Sequence, residues 1–243
     1  MSPHPADREV SSLIAAEPVQ DGDKPDLGGW MQRLCRAATS DLAASGVGMS
    51  VMSPGGGFSV LASSSAAAEV VEQLQFTLGE GPCLDAYADG RPVLVRDLSE
   101  AAPRWPGYVP AAHELGVRAV FSFPLQVGAA RLGAMDVFRH QAGPLPQLLL
   151  LRSLAFADAA MMALLAAQES SHAKEPSVLD VLGTAIEDSF LVYQAQGMIQ
   201  VQLGVSLAEA MARLRAYAYA HDLPLNEVAS DVVARKMMFE PDG

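Results

Sequence analysis

The chain has 243 residues, half of them hydrophobic, which is enough for one large or two modest domains with a sizeable core. Its formal net charge is −12 and its isoelectric point about 4.7, which argues against indiscriminate nucleic-acid binding, because phosphate contact normally depends on clustered Lys and Arg. The first residues lack the apolar core of a signal peptide, and Cys35 and Cys83 lack zinc-type spacing, so we expect a reduced, cytoplasmic protein.

The first two thirds of the sequence alternate between helical and strand patterns. Residues 1–26 are rich in Pro, Asp and Ser, and we interpret them as a mobile N-terminal tail. After them the periodicity predicts, in chain order, a helix from Leu27 to Leu42, strands Val47–Met52 and Phe58–Ala62, a helix over Ser63–Leu78, a short helix opened by Pro82, a strand Pro92–Val95, a helix over Trp105–Leu115, and strands Arg118–Val127 and Arg131–Phe138. This order predicts an α+β fold in which helices flank an antiparallel sheet.

Two stretches of this region resemble a known family. LGEGPCLDAYADGRPVLVRDL, at Leu78–Leu98, and GVRAVFSFPLQVGAARLGAMDVFRH, at Gly116–His140, are similar to the GAF domains of actinobacterial regulators. The resemblance covers residues 27–168 and implies a sensory module that binds a small molecule or acts as a dimer platform. The sequence leaves the identity of such a ligand open.

Cys83 is the candidate for chemistry in this region. It follows Gly81-Pro82, and a thiol near a helix N-terminus has a lowered pKa, which would suit a redox sensor. The alternative is a small side chain buried under the sheet, which we favour, because free Cys is among the most buried residue types. Neither the carboxylates nor the histidines show catalytic or metal-ligating spacing, so we expect no enzyme and no metal site; they are Glu80, Asp85, Asp89, Asp97, His4, His113, His140, His172 and His221.

The most hydrophobic segment lies at Pro146–Gln168. Arg152 and Asp158 interrupt it, and each would cost roughly 2.5–3.5 kcal/mol at the centre of a bilayer. We therefore expect a buried or dimerising helix and no membrane association. Residues 169–177 contain Pro176, which prevents one continuous helix, and form a predicted linker.

Residues 178–240 have the pattern of three short helices. Gly204 ends the first, and Ser206 with Glu209 forms a capping box at the start of the second. The predicted core positions of the three helices are Ile186, Phe190, Val192, Ala195, Ile199 and Leu203, then Leu207, Met211, Leu214 and Ala218, then Leu225, Val228, Ala229, Val232 and Val233.

The run QAQGMIQVQLGVSLAEAMARLRAYAYAHDLPLNEVASDVV within this region resembles the ANTAR domain, a three-helix module. The resemblance implies binding to paired hairpins of a nascent RNA, prevention of transcription termination, an indirect relation to RNA polymerase, and a homodimer. Many ANTAR domains carry Lys at the position of Gln196.

The second predicted helix carries cations beside aromatic residues. Arg213 and Arg215 precede Tyr217 and Tyr219 by four residues, flank the core face and are expected to project into solvent. Guanidinium groups beside exposed rings suit RNA loops, where they contact phosphates and unstacked bases. The candidate RNA-binding residues are Gln196, Arg213, Arg215, Tyr219, Arg235 and Lys236.

The sequence therefore predicts a GAF-like sensor followed by an ANTAR-like RNA-binding effector. From Asp180 onward, however, four basic residues stand against nine acidic ones. That acidity, together with Gln196, keeps a second hypothesis open, in which the sensor controls a three-helix module that binds a protein instead of RNA. A thiol redox sensor using Cys83 is a third.

Overall fold

The computed structural model describes residues 5–20, 23, 26–52, 58–170 and 178–240, and it has the predicted α+β fold. Five antiparallel strands form one sheet in the order β2-β1-β5-β4-β3. Their bounds are β1 Gly46–Met52, β2 Phe58–Ser63, β3 Val93–Val95, β4 Ala119–Val127 and β5 Ala130–Arg139. Both predicted hairpins, β1–β2 and β4–β5, are confirmed, and the glycine-rich connection of the first lies outside the described residues.

Nine α-helices are described around and after the sheet. They are α1 Pro5–Ala16, α2 Leu27–Asp41, α3 Ala66–Leu78, α4 Pro82–Asp89, α5 Tyr108–Glu114, α6 Gln147–Ser170, α7 Val178–Leu203, α8 Leu207–Ala220 and α9 Leu225–Val233. A 3₁₀ turn at Leu98–Ala101 follows β3. Local sequence signals determine where some of these helices begin and end. Ser65 caps the start of α3, Gly79 ends α3 with a left-handed backbone conformation, and Pro82 occupies the first turn of α4.

The sheet is covered on both faces, because its side chains alternate in direction along each strand. On β5, Met135 and Val137 pack with α1, α2 and α6, whereas Ala134 and Phe138 pack with elements on the other side. Helices α3, α4 and α5 lie on that second side. Asp136 lies on the second face, where an apolar residue would be expected from the alternation.

The interpretation of residues 1–26 as a mobile tail is wrong for α1. Val10 and Ile14 of this helix are buried in the core formed with α2 and α6. Arg36 of α2 adds a second attachment, because it forms ion pairs with Glu17 at 3.3 Å and Asp23 at 2.7 Å. The apolar residues of the segment are too few to make the periodicity visible, and the helix gains its stability from packing on the domain.

Within α6, residues Gln147–Ala167 are long and apolar enough to cross a membrane. The structure explains this composition by burial, since Phe156, Ala160 and Leu164 are fully enclosed beneath the sheet. Arg152 forms ion pairs with Asp41 of α2 and Glu9 of α1, so the charge inside the apolar segment joins three helices.

Helices α7, α8 and α9 form a separate core of their own. Its buried members are Val192, Ala195, Ile199, Ala210, Leu214, Ala218, Leu225, Val228, Ala229 and Val232. The prediction of three helices is confirmed, although α7 begins as early as Val178. Two predicted core positions are wrong: Phe190 is 69% exposed and Leu207 is 50% exposed. Phe190 is roughly 140–200° around α7 from the buried Val192, Ala195 and Ile199 and so faces away from this core, whereas Leu207 is the first residue of α8.

The two regions meet through α3 and β2. Phe76 of α3 stacks on Phe58 of β2, with ring centroids 4.8 Å apart and planes inclined by 8°. Phe76 also packs against the core of α7–α9, and α8 contacts α3. One helix of the sheet domain therefore supports the C-terminal helices directly.

Candidate nucleic-acid interface and buried sensor cluster

The predicted RNA-binding residues of α8 lie on opposite flanks of that helix. Arg213 and Arg215 are two positions apart, which places them roughly 200° apart around a helix of 3.6 residues per turn. Leu214 between them points into the three-helix core. The two arginines therefore belong to two different surfaces.

Arg215 faces the sheet domain, which corrects the expectation that it projects into solvent. A Cβ built on Gly79, at the end of α3, would lie 2.1 Å from Arg215 Nη1 and 2.4 Å from Cζ, so the guanidinium lies directly on the glycine. Its Nε is buried and has no hydrogen-bond partner among the described residues. Burial lowers the pKa of Arg215 from its usual value, while the nearby Tyr193 acts in the opposite direction. The sequence could not show this, because the burial comes from the other domain.

Tyr219 lies one turn after Arg215 on the same flank and is 45% exposed. It lines a cleft of about 280 Å³ between the two domains, together with Leu74, Ala111 and Leu223. Its ring remains accessible from this cleft, whereas Tyr217 is occupied, stacking on His221 at a centroid distance of 4.0 Å. Arg215 and Tyr219 are thus brought together by the structure, at the domain junction.

The other flank of α8 carries Arg213, whose Nη2 lies 3.4 Å from Glu209 Oε1. Nearby, Gln196 of α7 donates a hydrogen bond of 2.7 Å from Nε2 to the carbonyl oxygen of Leu207, so its amide ties α7 to the start of α8. Such a contact is structural in itself and leaves the amide oxygen available to a ligand.

Arg235 and Lys236 follow the end of α9 and are exposed. Arg235 adopts a left-handed backbone conformation with φ of 57°, which turns the chain away from the helix axis. Lys236 Nζ lies 3.2 Å from Asp231 Oδ1, an exposed pair of little energetic weight. The structure therefore distributes the six predicted residues over the junction, the Arg213 flank and the end of α9.

A second cluster lies inside the sheet domain and was missed by the sequence analysis. Glu72 of α3, Cys83 of α4 and Asp136 of β5 are all fully buried, and one ligand-type atom of each lies within 4.8 Å of the others. Asp136 is directly opposite Gly48 of β1 in the strand register. Because Gly48 lacks a side chain, Glu72 fits over the strand; a Cβ there would lie 2.3 Å from Glu72 Cγ.

Hydrogen bonds hold one side of each group in this cluster. Ser50 Oγ donates to Glu72 Oε2 at 2.9 Å, and Gln75 Nε2 donates to Asp136 Oδ2 at 2.6 Å. Gln75 Oε1 in turn accepts from the backbone N–H of Cys83 at 2.8 Å. The opposite oxygens, Glu72 Oε1 and Asp136 Oδ1, are buried and have no hydrogen-bond partner among the described residues.

Burial dominates the ionisation of the cluster. It raises the pKa of Asp136 to about 6, and burial together with the charge of Asp136 raises the pKa of Glu72 well above its usual value. Burial and the two carboxylates also raise the pKa of the Cys83 thiol. A thiol redox sensor needs an exposed sulfur with a lowered pKa, so that alternative fails for Cys83 in this structure.

Two sequence signals could have revealed this cluster. Asp136 is a lone charge within the apolar run AMDVF, and Glu72 lies at helical spacing on the face of α3 that buries Ala68 and Val71. Glu80 and Asp85, two of the carboxylates named in the sequence analysis, have structural partners instead. Glu80 Oε1 accepts from the N–H groups of Gly107 and Tyr108 at the start of α5, and Asp85 Oδ2 accepts from Trp105 Nε1 at 3.1 Å.

Comparison with known families agrees with both parts of the fold. The GAF domain model matches residues 25–162, and the ANTAR domain model matches residues 180–233. The chain is similar to the GAF domain of an Acinetobacter phosphoenolpyruvate-protein phosphotransferase, with 10% identity and a TM-score of 0.50 over 69% of this chain and 95% of that one.

A second solved structure gives the same result. The GAF domain of a phosphoenolpyruvate-protein phosphotransferase from Coxiella burnetii is 14% identical, with a TM-score of 0.50 over 69% of this chain and 95% of that one. At these identities the likeness concerns the fold alone. No curated protein matches the chain.

Proposed function

Because the chain belongs to the GAF-domain family and carries an ANTAR domain after its sensor, we propose that it is a cytoplasmic, signal-responsive RNA-binding regulator that prevents transcription termination. The main support for this proposal is the ANTAR match over residues 180–233, which coincides with three helices that have a core of their own. The RNA would be a pair of hairpins in a nascent transcript, and the protein would act on RNA polymerase only indirectly. Both modules are regulatory, and we propose no catalytic step.

The domain junction supplies a means of control. In the structure the half-buried Arg215 lies against Gly79 of the sensor, so part of this cation is covered while α8 is docked on α3. The buried Nε has no partner among the described residues, and an unsatisfied buried donor costs about 1–3 kcal/mol, which offsets part of the stabilisation that packing of this side chain gives to docking. We therefore propose that α8 is released when the sensor domain changes state, which uncovers Arg215 beside the already exposed Tyr219.

Dimerisation would offset the acidity of the RNA-binding module. Leu148, Leu151 and Met162 of α6 are exposed apolar side chains on one face of a helix whose opposite face, with Phe156, Ala160 and Leu164, is buried in the sensor core. Pairing through this face would bring two modules to one RNA, so the second contact would become intramolecular and the avidity would exceed the affinity of a single module.

A gel-shift titration with a two-hairpin RNA at two salt concentrations tests the function. We expect a folded wild-type protein to bind less tightly as salt increases, because released counterions drive phosphate contact. Arg213→Ala should weaken binding and lower the salt slope by about 1 if Arg213 contacts one phosphate. Arg104→Ala, which removes the same charge from the sensor domain, is the matched control and should bind as wild type does.

A protein-binding effector is the second candidate. It is favoured by the four basic and nine acidic residues from Asp180 onward and by the engagement of Arg213 with Glu209. If the folded protein shows no salt-dependent RNA binding, and if Arg213→Ala and Arg104→Ala behave like the wild type, the partner of the C-terminal helices is a protein and not RNA.

A further inference from the structure

We propose that Glu72, Cys83 and Asp136 bind one divalent transition-metal ion inside the GAF domain, each through one ligand atom. The site depends on the proposed function only for its regulatory meaning, since binding of the ion can be measured without RNA. It lies between α3, α4 and β5, and its ligands come from three elements that are distant in sequence.

The arrangement of donors is that of a coordination site. Each carboxylate has one oxygen held by a hydrogen-bond donor, Ser50 or Gln75, and a second buried oxygen that makes no hydrogen bond among the described residues. The buried hydroxyl of Ser122, opposite Asp136 in the strand register, is near enough to lower the pKa of that carboxyl. Groups that hold the far side of a ligand orient it toward the metal and are typical of built metal sites. The same Gln75 also fixes the backbone of Cys83, so one side chain positions two of the three ligands.

Charge balance points in the same direction. Two carboxylates share a buried space, and among the described groups that shift their pKa there is no Lys, Arg or His. A buried pair of like charges is tolerated only when a proton or a cation neutralises it. A proton can serve one oxygen of the pair, whereas a divalent cation would satisfy Glu72 Oε1, Asp136 Oδ1 and the sulfur together.

The donor set limits the kind of ion. Two carboxylate oxygens and one thiolate suit a borderline-soft ion such as zinc, cobalt or ferrous iron, whereas Mg²⁺ and Ca²⁺ prefer oxygen alone. On binding, the thiol proton is released to solvent and the sulfur coordinates as thiolate, because the ion's charge reverses the effect of the carboxylates on the thiol. Three protein ligands leave at least one coordination position for water or a small exogenous ligand.

The surroundings connect this site to the C-terminal helices. Cys83 belongs to a buried cluster with Met52, Phe58 and Ala134, against which Phe76 packs. Phe76 also packs against the core of α7–α9. A change in ligand geometry at Cys83 or Glu72 can therefore reach the surface that holds the ANTAR domain through a single side chain, Phe76.

The test uses the full chain, stripped with a chelator and then dialysed against Zn²⁺, Co²⁺ or Mg²⁺ alone. We expect about one Zn²⁺ or Co²⁺ per chain by elemental analysis, a near-ultraviolet thiolate-to-cobalt charge-transfer band, and no retention of Mg²⁺. Cys83→Ser should abolish the band, and Glu72→Gln and Asp136→Asn should each weaken Co²⁺ binding by at least about 10–100-fold. Cys35→Ser, which removes the other buried thiol, should keep the band and the stoichiometry.

Stoichiometric binding with a band that survives Cys83→Ser would overturn the site, as would loss of the band in Cys35→Ser. Failure of the stripped wild-type protein to bind Zn²⁺ or Co²⁺ would show that the two carboxyls share a proton instead. Because this last outcome is read on the wild-type chain, it decides the matter even when a variant does not fold. None of these three outcomes bears on RNA binding, which is measured separately.

Discussion

The contact between Gly79 and Arg215 gives a direct test of control by docking. Gly79 has φ of +73°, and an added Cβ would lie 2.1 Å from Arg215 Nη1, 2.4 Å from Cζ and 2.9 Å from Nη2. Ordinary contacts between such atoms are about 3.5–4.0 Å, so in Gly79→Ala the guanidinium must retreat by at least about 1 Å. Since it is the flexible end of a long side chain, we expect Arg215 to leave the junction and α3 to stay folded.

The size of the effect follows from a matched control. Gly128, in the β4–β5 turn, has φ of +59° and nothing within 4 Å of an added Cβ. Alanine at either position carries the same left-handed strain, about 1–2 kcal/mol, so the difference between the two variants isolates the contact with Arg215. If displacing that side chain weakens docking by about 1.4 kcal/mol, the ratio of docked to undocked molecules falls about tenfold.

Two measurements read this ratio. Hydrogen exchange of the α8 amides should be faster in Gly79→Ala than in Gly128→Ala, and the Kd for a two-hairpin RNA should be up to tenfold lower. Faster exchange with unchanged or weaker RNA binding would refute the inhibitory role of docking. Equal exchange in the two variants would refute the docking contact itself.

Three further predictions concern stability and are measured by urea unfolding. Glu80→Ala should destabilise the protein by about 2–3 kcal/mol, because two N–H groups at the start of α5 lose a charged acceptor. The control Glu114→Ala, at the exposed end of the same helix, should have little effect. Arg152→Met should lower the free energy of unfolding by about 1–3 kcal/mol, because it leaves the half-buried Asp41 without its cation. Adding Asp41→Asn to this variant should restore much of the lost stability. Ile14→Ala should lower the free energy of unfolding by about 2 kcal/mol, because α1 belongs to the core. Val19→Ala, at an exposed position, should leave it almost unchanged. Equal effects of the two substitutions would show that α1 is a mobile tail after all.

Local chemistry explains why the elements of the fold could be predicted from sequence. Gly79 and Pro82 end one helix and begin the next through backbone preferences that need no tertiary partner. The hairpin strands β4 and β5 follow from β-branched and aromatic residues that alternate over a long run. Among the side chains of α1 that the structure describes, only Val10 and Ile14 are deeply buried, and the packing of this helix on α2 and α6 is a property of the assembled domain.

The candidate sites were less accessible to sequence reasoning because contacts between distant segments decide them. Arg215 looks solvent-exposed on an isolated α8, and only the end of α3 shows where its guanidinium lies. Glu72 and Asp136 are 64 positions apart in the printed sequence, and only the β1–β5 register brings Asp136 opposite the gap above Gly48 that Glu72 fills. The residue types in the sequence indicate which side chains can take part in chemistry. Their protonation and exposure depend on contacts with distant segments, which only the folded structure shows.

Helix α3 connects the two proposals and makes them jointly testable. Glu72 and Gln75 point from it toward the buried cluster, while Phe76 and Gly79 meet the C-terminal domain. A metal holds its oxygen and sulfur ligands by bonds of about 2.0–2.3 Å, so any pair of ligand atoms near the 4.8 Å limit must approach on binding, and such an approach would shift α3 against the sheet. If that shift changes docking, the metal-loaded and stripped proteins will differ in RNA affinity, and by linkage RNA must change the metal affinity by the same factor. Titrating Co²⁺ with and without two-hairpin RNA measures the second factor and so checks the first; a factor of one in both titrations would separate the metal site from the switch.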